Sequence, residues 1–139
     1  MRALSFAVLL ITAVTRASNA CSCLEPSPAG ALSWSSAVFS GHVLSVKHEG
    51  KHDCERRHRI LVERAWKGTQ AGKVVTVYTD GCFTCGIAFQ KDSHVMIYAR
   101  LIEKGAHKGA LSTGLCTRSG RSVAAESDSL GPPLSVLKP

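Results

Sequence analysis

The sequence predicts an all-β domain with a little helix, either a sandwich or a small Greek-key barrel, pinned by disulfides. Five short runs rich in β-branched and aromatic residues are separated by Gly, Asp and Pro turn signals, and no stretch carries a long helical period. Six cysteines, all beyond residue 20, stand in a chain that opens like an exported protein.

Residues 1–20 have the three parts of a secretory signal: Arg2 near the start, an apolar run over residues 3–14, and the small-residue exit Ser18-Asn19-Ala20. The run is too short to cross a bilayer. Cleavage after Ala20 makes Cys21 the first residue of the mature chain. Lipid-attachment signals also end at a cysteine, but they want a branched apolar residue three positions upstream, where this chain has Ser18.

Residues 21–119 read as one domain and residues 120–139 as a tail, with no second apolar stretch able to anchor the chain in a membrane. The mature protein is expected outside the cell, or in the periplasm of a Gram-negative bacterium. An even set of cysteines in such a compartment favours disulfides over thiols or metal ligands. Each bridge contributes roughly 2–4 kcal/mol, a large share of the net stability of a domain this small. The formal charge of +7 reflects 17 Lys and Arg against 10 Asp and Glu, and loss of Arg2 and Arg16 with the signal leaves 15 against 10, or +5. That basicity is mild and no aromatic and basic stripe accompanies it, so nucleic acid is not an expected partner.

Pro26, Pro28 and Gly30 break up the chain after Cys23, which should run extended before a short helical turn over residues 31–36. The first strand covers 37–46, with Val38, Phe39, Val43, Leu44 and Val46 feeding both faces. Gly41 in its middle predicts a bulge or sharp bend, as a long strand in a small closed barrel requires. Residues 47–57 are polar and read as an exposed hairpin connection. A second strand covers 58–66, where Ile60, Val62 and Trp66 keep an even spacing, and Lys67-Gly68 ends it. A third covers 73–79, with Val74, Val75, Val77 and Tyr78 all favouring β structure, and Asp80-Gly81 turns the chain. After an irregular connection over 82–91, a fourth strand spans 94–100 and a fifth spans 109–115, closing on Cys116. Residues 122–130 read as a helix stopped by Gly131-Pro132-Pro133.

Catalysis has no obvious seat. Cys82-Phe83-Thr84-Cys85 matches a bare C-x-x-C, but it follows a strand with no helix behind it in an exported chain, so a redox pair is not expected. A zinc knuckle from Cys21, Cys23, Cys82 and Cys85 conflicts with the same oxidising setting. His48, His52 and His58 suggest a metal site only weakly, because a polar loop makes a poorly preorganised ligand set. No nucleophile elbow, phosphate loop or H-E-x-x-H occurs, and Asp53, Asp80 and Asp92 read as solvated turn residues. The chain is expected to be a binding protein, not an enzyme, with no cofactor or metal of its own.

Cys21-Ser22-Cys23, then Leu24-Glu25-Pro26, Ala37-Val38-Phe39-Ser40-Gly41, Ala65-Trp66-Lys67-Gly68, Cys85-Gly86 and a lone Cys116 after the last strand, together resemble the N-terminal domain of the tissue inhibitors of metalloproteinases. The resemblance runs from about residue 21 to residue 119. It implies a five-stranded Greek-key barrel of the oligonucleotide/oligosaccharide-binding kind (OB-fold), in the netrin-like group, disulfide-pinned and flanked by short helices. It also implies the bridges Cys21–Cys85 and Cys23–Cys116, leaving Cys54–Cys82 as a third. In the family the third bridge of this domain ties the first helix to the domain's C-terminal end, and no cysteine stands near Ser33 to make it here. The family's separate C-terminal domain has no counterpart either, so functions that depend on it are not carried over.

The activity implied is inhibition of a zinc metalloendopeptidase by a monomer. The α-amine and carbonyl oxygen of Cys21 would chelate the target's catalytic zinc, and Ser22 would point into the pocket for the first side chain after the scissile bond. Cys23, Leu24, Glu25 and Pro26 would lie along the cleft, while Phe83, Thr84 and Cys85 would form the other half of the contact ridge. Glu25 fits least well, since a carboxylate entering a cleft that holds a catalytic carboxylate is repelled. The alternative is a non-inhibitory exported binding module on the same scaffold, with a protein, a glycan or an anionic surface as its ligand.

Overall fold

The computed structural model describes residues 21–82 and 85–139. The leader read over residues 1–20 and the contacts read for Phe83 and Thr84 lie outside the described residues. What is described is mostly β-sheet. Strands β1 (Ala37–Glu49), β2 (Glu55–Lys67), β3 (Val74–Asp80), β4 (His94–Leu101) and β5 (Leu111–Ser112) are paired in the closed ring β1–β2–β3–β5–β4–β1. Every pairing in the ring is antiparallel except that of β3 with β5. Ring closure leaves these strands no long open edge for another chain to pair with. Where the β3 ladder stops at Leu61, a short strand β6 (Ser135–Val136) takes over the edge of β2 at Arg64 and Ala65.

Alternation along β1 and β4 feeds two cores. Phe39, Val43, Ile60, Val62, Val77, Phe89, Val95 and Ile97 fill the barrel. The opposite faces of the same strands offer Val38, Met96 and Tyr98, and these pack with Ala31 and Trp66 under two helices, α1 (Pro28–Trp34) and α2 (Val123–Leu130). Residues 95–99 of β4 are consequently all buried, although the strand lies in an antiparallel ladder that often has one wet face. The segment after Ser119, which reads weakly as sequence, thus closes the second core: Val123 and Leu130 pack into it and Trp66 Nε1 donates to the Gly131 carbonyl at 2.8 Å.

The bend expected at Gly41 is present as a register shift between Ser40 and Gly41 against β2. A Cβ there would stand 2.2 Å from the Leu61 carbonyl oxygen, so the neighbouring strand can approach only a glycine. Gly41→Ala is expected to destabilise the domain by about 3 kcal/mol, read as a fall in the urea midpoint, because backbone and not a pliable side chain blocks the added methyl.

Three readings need correction. Residues 47–57 are not all connection: β1 runs to Glu49 and β2 begins at Glu55, with Arg57 paired to Glu49 at 2.9 Å across the ladder. Polar residues are tolerated there because this end of the hairpin extends past the core. The fifth strand is shorter than 109–115, for only Leu111 and Ser112 join the ladder before the chain leaves it for a 3₁₀ turn over Leu115–Thr117. Leaving early brings Cys116 back to Cys23. The helical turn expected over residues 31–36 starts earlier, as α1 from Pro28 to Trp34, because a proline at the first helical position has no amide to leave unpaired and its fixed φ suits the helix.

Candidate functional site

The segment 21–26 has no regular secondary structure before α1. Ser27 stops it. Its backbone caps α1, its side chain accepts from the Gly30 amide at 3.1 Å, and Pro28 opens the helix. Upstream, two disulfides pin the segment: Cys21 to Cys85 in the β3–β4 connection, and Cys23 to Cys116 in the turn after β5. These two anchors are themselves joined, because the Leu115 amide donates to the Cys85 carbonyl at 2.8 Å. Ser22 and Leu24 alternate with the cysteines and face water, Leu24 being 97% exposed.

The β3–β4 connection is tight. A Cβ on Gly86 would lie 1.4 Å from the Asp80 carbonyl oxygen, so the residue after Cys85 must be glycine for the connection to fold back on β3. Cys82, at the other side of that connection, is bonded to Cys54 at the tip of the β1–β2 hairpin. Cys82 and Cys85 therefore belong to different bridges, and no free thiol is present for a redox pair or a zinc knuckle.

A charged network that sequence reading missed supports the segment from below. Arg118 grips the Glu126 carboxylate with two bonds, from Nε to Oε2 at 2.8 Å and from Nη2 to Oε1 at 2.7 Å. Its Nη1 donates to Glu25 Oε1 and to the Pro26 carbonyl, both at 3.0 Å. Arg121 also pairs with Glu25. Tyr98 donates its hydroxyl to Glu126 Oε2 at 2.6 Å. Glu126 was detectable in principle: Val123, Glu126 and Leu130 share one helical face, and a carboxylate on an apolar stripe needs a partner. That the partner is Arg118 is not written in any local pattern.

Burial alone would raise the Glu126 carboxyl, but hydrogen bonds from Arg118 and Tyr98 and the arginine charges outweigh it and hold the group below the usual glutamate range. The same pair raises Arg118, and burial followed by the Glu126 bond pushes the Tyr98 phenol upward.

Of the three histidines weighed as ligands, His48 and His52 are exposed on the hairpin. His58 lies inside the barrel, where its Nδ1 faces the Val77 carbonyl at 3.3 Å and its ring meets Phe89 edge-on at 5.3 Å. Among the described residues no group of three or more His, Cys, Asp or Glu is placed to hold a metal ion. Burial lowers the His58 pKa, with the Val77 bond opposing it in part.

His58 and Glu126 make the fold acid-sensitive in the same direction. Each is harder to protonate folded than unfolded, so the unfolded chain binds more protons as pH falls, and stability is lost. The His58 contribution is complete above about pH 6.5 and declines below it, and that of Glu126 declines below about pH 4.3. Urea midpoints measured from pH 8 to pH 3 should fall in two stages, and His58→Phe should remove the first without the second.

No protein-family model matches this chain, and no curated protein matches it significantly. Geometry alone defines the class: a disulfide-pinned, β-rich domain that presents an irregular segment braced by two bridges beside a folded-back connection. No helix among the described residues is long and apolar enough to cross a membrane.

Proposed function

We propose that this chain, exported and cut before Cys21, is a monomeric inhibitor of zinc metalloendopeptidases and has no enzymatic activity. The barrel is read as a five-stranded Greek-key OB-fold of the netrin-like kind, a reading supported by the ring order β1–β2–β3–β5–β4 with β3 and β5 parallel. The observation that carries the function is the bracing of residues 21–23, held by disulfides to two separate connections with Ser22 outward between them.

The chemistry follows from that bracing. An α-amine has an ordinary pKa of about 7.7–8.0, so near neutral pH a useful fraction carries a free lone pair. With the Cys21 carbonyl oxygen it forms a five-membered chelate, able to take the open position of a catalytic zinc and displace the water that would attack substrate. The Cys21 sulfur takes no part as a ligand because it is bonded to Cys85. Because that bond and Cys23–Cys116 order the segment beforehand, less entropy is lost on docking. Ser22, Leu24 and Cys85 would meet the cleft beside the chelate, together with Phe83 and Thr84.

Without the helix-tying bridge that the resemblance would imply, α1 is held by non-covalent contacts to β2 and α2. Lys67 Nζ donates to the Leu32 and Ser33 carbonyls at the end of α1, at 2.9 and 3.1 Å, and α1 and α2 share the second core. The experiment is N-terminal sequencing of the secreted protein, followed by titration against a matrix-degrading zinc endopeptidase. Cys21 in the first cycle with stoichiometric inhibition is the expected result; a different first residue, or full enzyme activity at excess protein, removes the reading.

A further inference from the structure

We propose that Glu25 does not engage the target but ties the inhibitory segment to helix α2 through Arg118, so that Arg118 and Glu126 are positioning residues for residues 21–26. The proposal rests on the inhibitory reading above and deepens it. The carboxylate expected along the cleft is already taken, paired with Arg118 and Arg121 on the protein's own surface. Two guanidiniums neutralise a charge that would otherwise repel a cleft carboxylate.

Arg118 is built for this role and poorly suited to a loose surface position. It is a non-glycine residue at φ 75, in the left-handed region that side chains disfavour. The conformation sends its guanidinium inward, where its side chain is only 15% exposed and meets Glu126 at 3%. A bidentate pair fixes the fork, and the remaining nitrogen is then aimed at the Pro26 carbonyl and Glu25. Tyr98, from the second core, fixes the other side of Glu126. The rigid barrel is thus connected to the segment by the series Tyr98, Glu126, Arg118, Glu25.

Three anchors result: the bridges at Cys21 and Cys23 and the clamp at residues 25–26. Leu24 lies between the last two, and its 97% exposure marks it as the side chain the bracing leaves for a partner. A role limited to fold stability would need neither the Pro26 carbonyl nor Glu25, because the Arg118–Glu126 pair is complete without them.

The test compares protein beginning at Cys21 with Glu25→Gln, Arg118→Gly, Arg118→Lys and the Glu25→Gln/Arg118→Gly double variant. Glycine is chosen because it accepts φ 75, so the backbone keeps its path while the clamp is lost. Two quantities are read: NMR order parameters of the backbone amides at residues 22–25, and the inhibition constant for a matrix-degrading zinc endopeptidase. In Arg118→Gly the order parameters should fall from about 0.85 to below about 0.6 while those of β4 stay unchanged. Inhibition should weaken about tenfold, with Arg118→Lys intermediate, and the double variant should fall short of the summed single effects, because both substitutions break the Arg118–Glu25 contact and Glu25→Gln removes only the Arg121 pair besides. Stronger inhibition by Glu25→Gln would overturn the proposal, since it would mean Glu25 was repelled by the target. Unchanged order parameters in Arg118→Gly would overturn it as well. If unaltered protein fails to inhibit, the inhibitory reading is what falls, and the order parameters still decide whether the clamp exists.

Discussion

Acetylation of the Cys21 amine in the mature protein, or extension by one alanine before Cys21, is expected to abolish inhibition, raising the inhibition constant by about three orders of magnitude or more. An acetylated nitrogen is an amide and has no basic lone pair for zinc. An added residue moves the amine by up to about 3.8 Å and puts a peptide nitrogen where the ligand was. Neither change reaches the barrel, so circular dichroism and the urea midpoint should be unaltered. The pH dependence gives a second readout: below about pH 7.7 the neutral fraction of an ordinary α-amine drops about tenfold per unit, so inhibition should weaken in proportion as pH falls from 7 to 6. Equal inhibition by the alanine-extended form would exclude the chelate and move the contacts elsewhere.

Removing the Cys23–Cys116 bridge by the double substitution Cys23→Ser/Cys116→Ser is expected to be the most damaging change to the fold. It links residues separated by 93 positions, against 28 for Cys54–Cys82. In the chain-entropy account, closing loops of those lengths contributes about 4.5 and about 3.5 kcal/mol respectively, against a net stability of about 5–15 kcal/mol for a domain. The bridges also differ in what they hold. Cys23–Cys116 fixes the middle of the segment 21–26, whereas Cys54–Cys82 ties the β1–β2 hairpin tip to the β3–β4 connection. Inhibition should therefore be lost in the Cys23/Cys116 variant at temperatures where it is still folded, and should weaken less than tenfold in Cys54→Ser/Cys82→Ser. If both variants inhibit like unaltered protein at 10 °C, the bridges serve stability alone. Calorimetry beside the inhibition assay separates the two effects.

The charged network changes what Glu25 means. In an extended cleft-binding segment it looks like an obstacle. With Arg118 and Arg121 on it, it becomes an internal tether. No local signal at Glu25 reveals this, because its partners lie 93 and 96 positions away, at 118 and 121. The histidines teach the same lesson in reverse: His58 is adjacent in sequence to a run of charged residues, yet strand alternation with Ile60 and Val62 turns it into the barrel.

Strand positions were legible where the pattern is short-range. Val38-Phe39, Val74 to Tyr78 and Val95 to Tyr98 announce β structure by residue type, Gly41 announces a bend, and Ser122 with Gly131 brackets a helix that forms with Ser122 as its cap. The strand ends were not legible around residues 47–57, because beyond the core both faces of a ladder meet water and polar residues lose their meaning as loop signals. The length of β5 was not legible either, since the chain turns off after Ser112 toward a bridge with Cys23, 93 positions away, which no local pattern in residues 109–115 marks.

Local chemistry therefore settles the β-rich character, the bend at Gly41 and the presence of six cysteines. It leaves open which cysteines meet, that β3 and β5 run parallel and close the ring, and that Arg118 stands between Glu126 and Glu25. The division has a physical cause. Backbone preference and side-chain alternation act over a few residues, whereas the bridges join points 28 or more positions apart, β3 pairs with β5 across the intervening β4, and Arg118 reaches 93 positions back to Glu25. They come into being when the closed barrel and its outer helices bring the distant parts together.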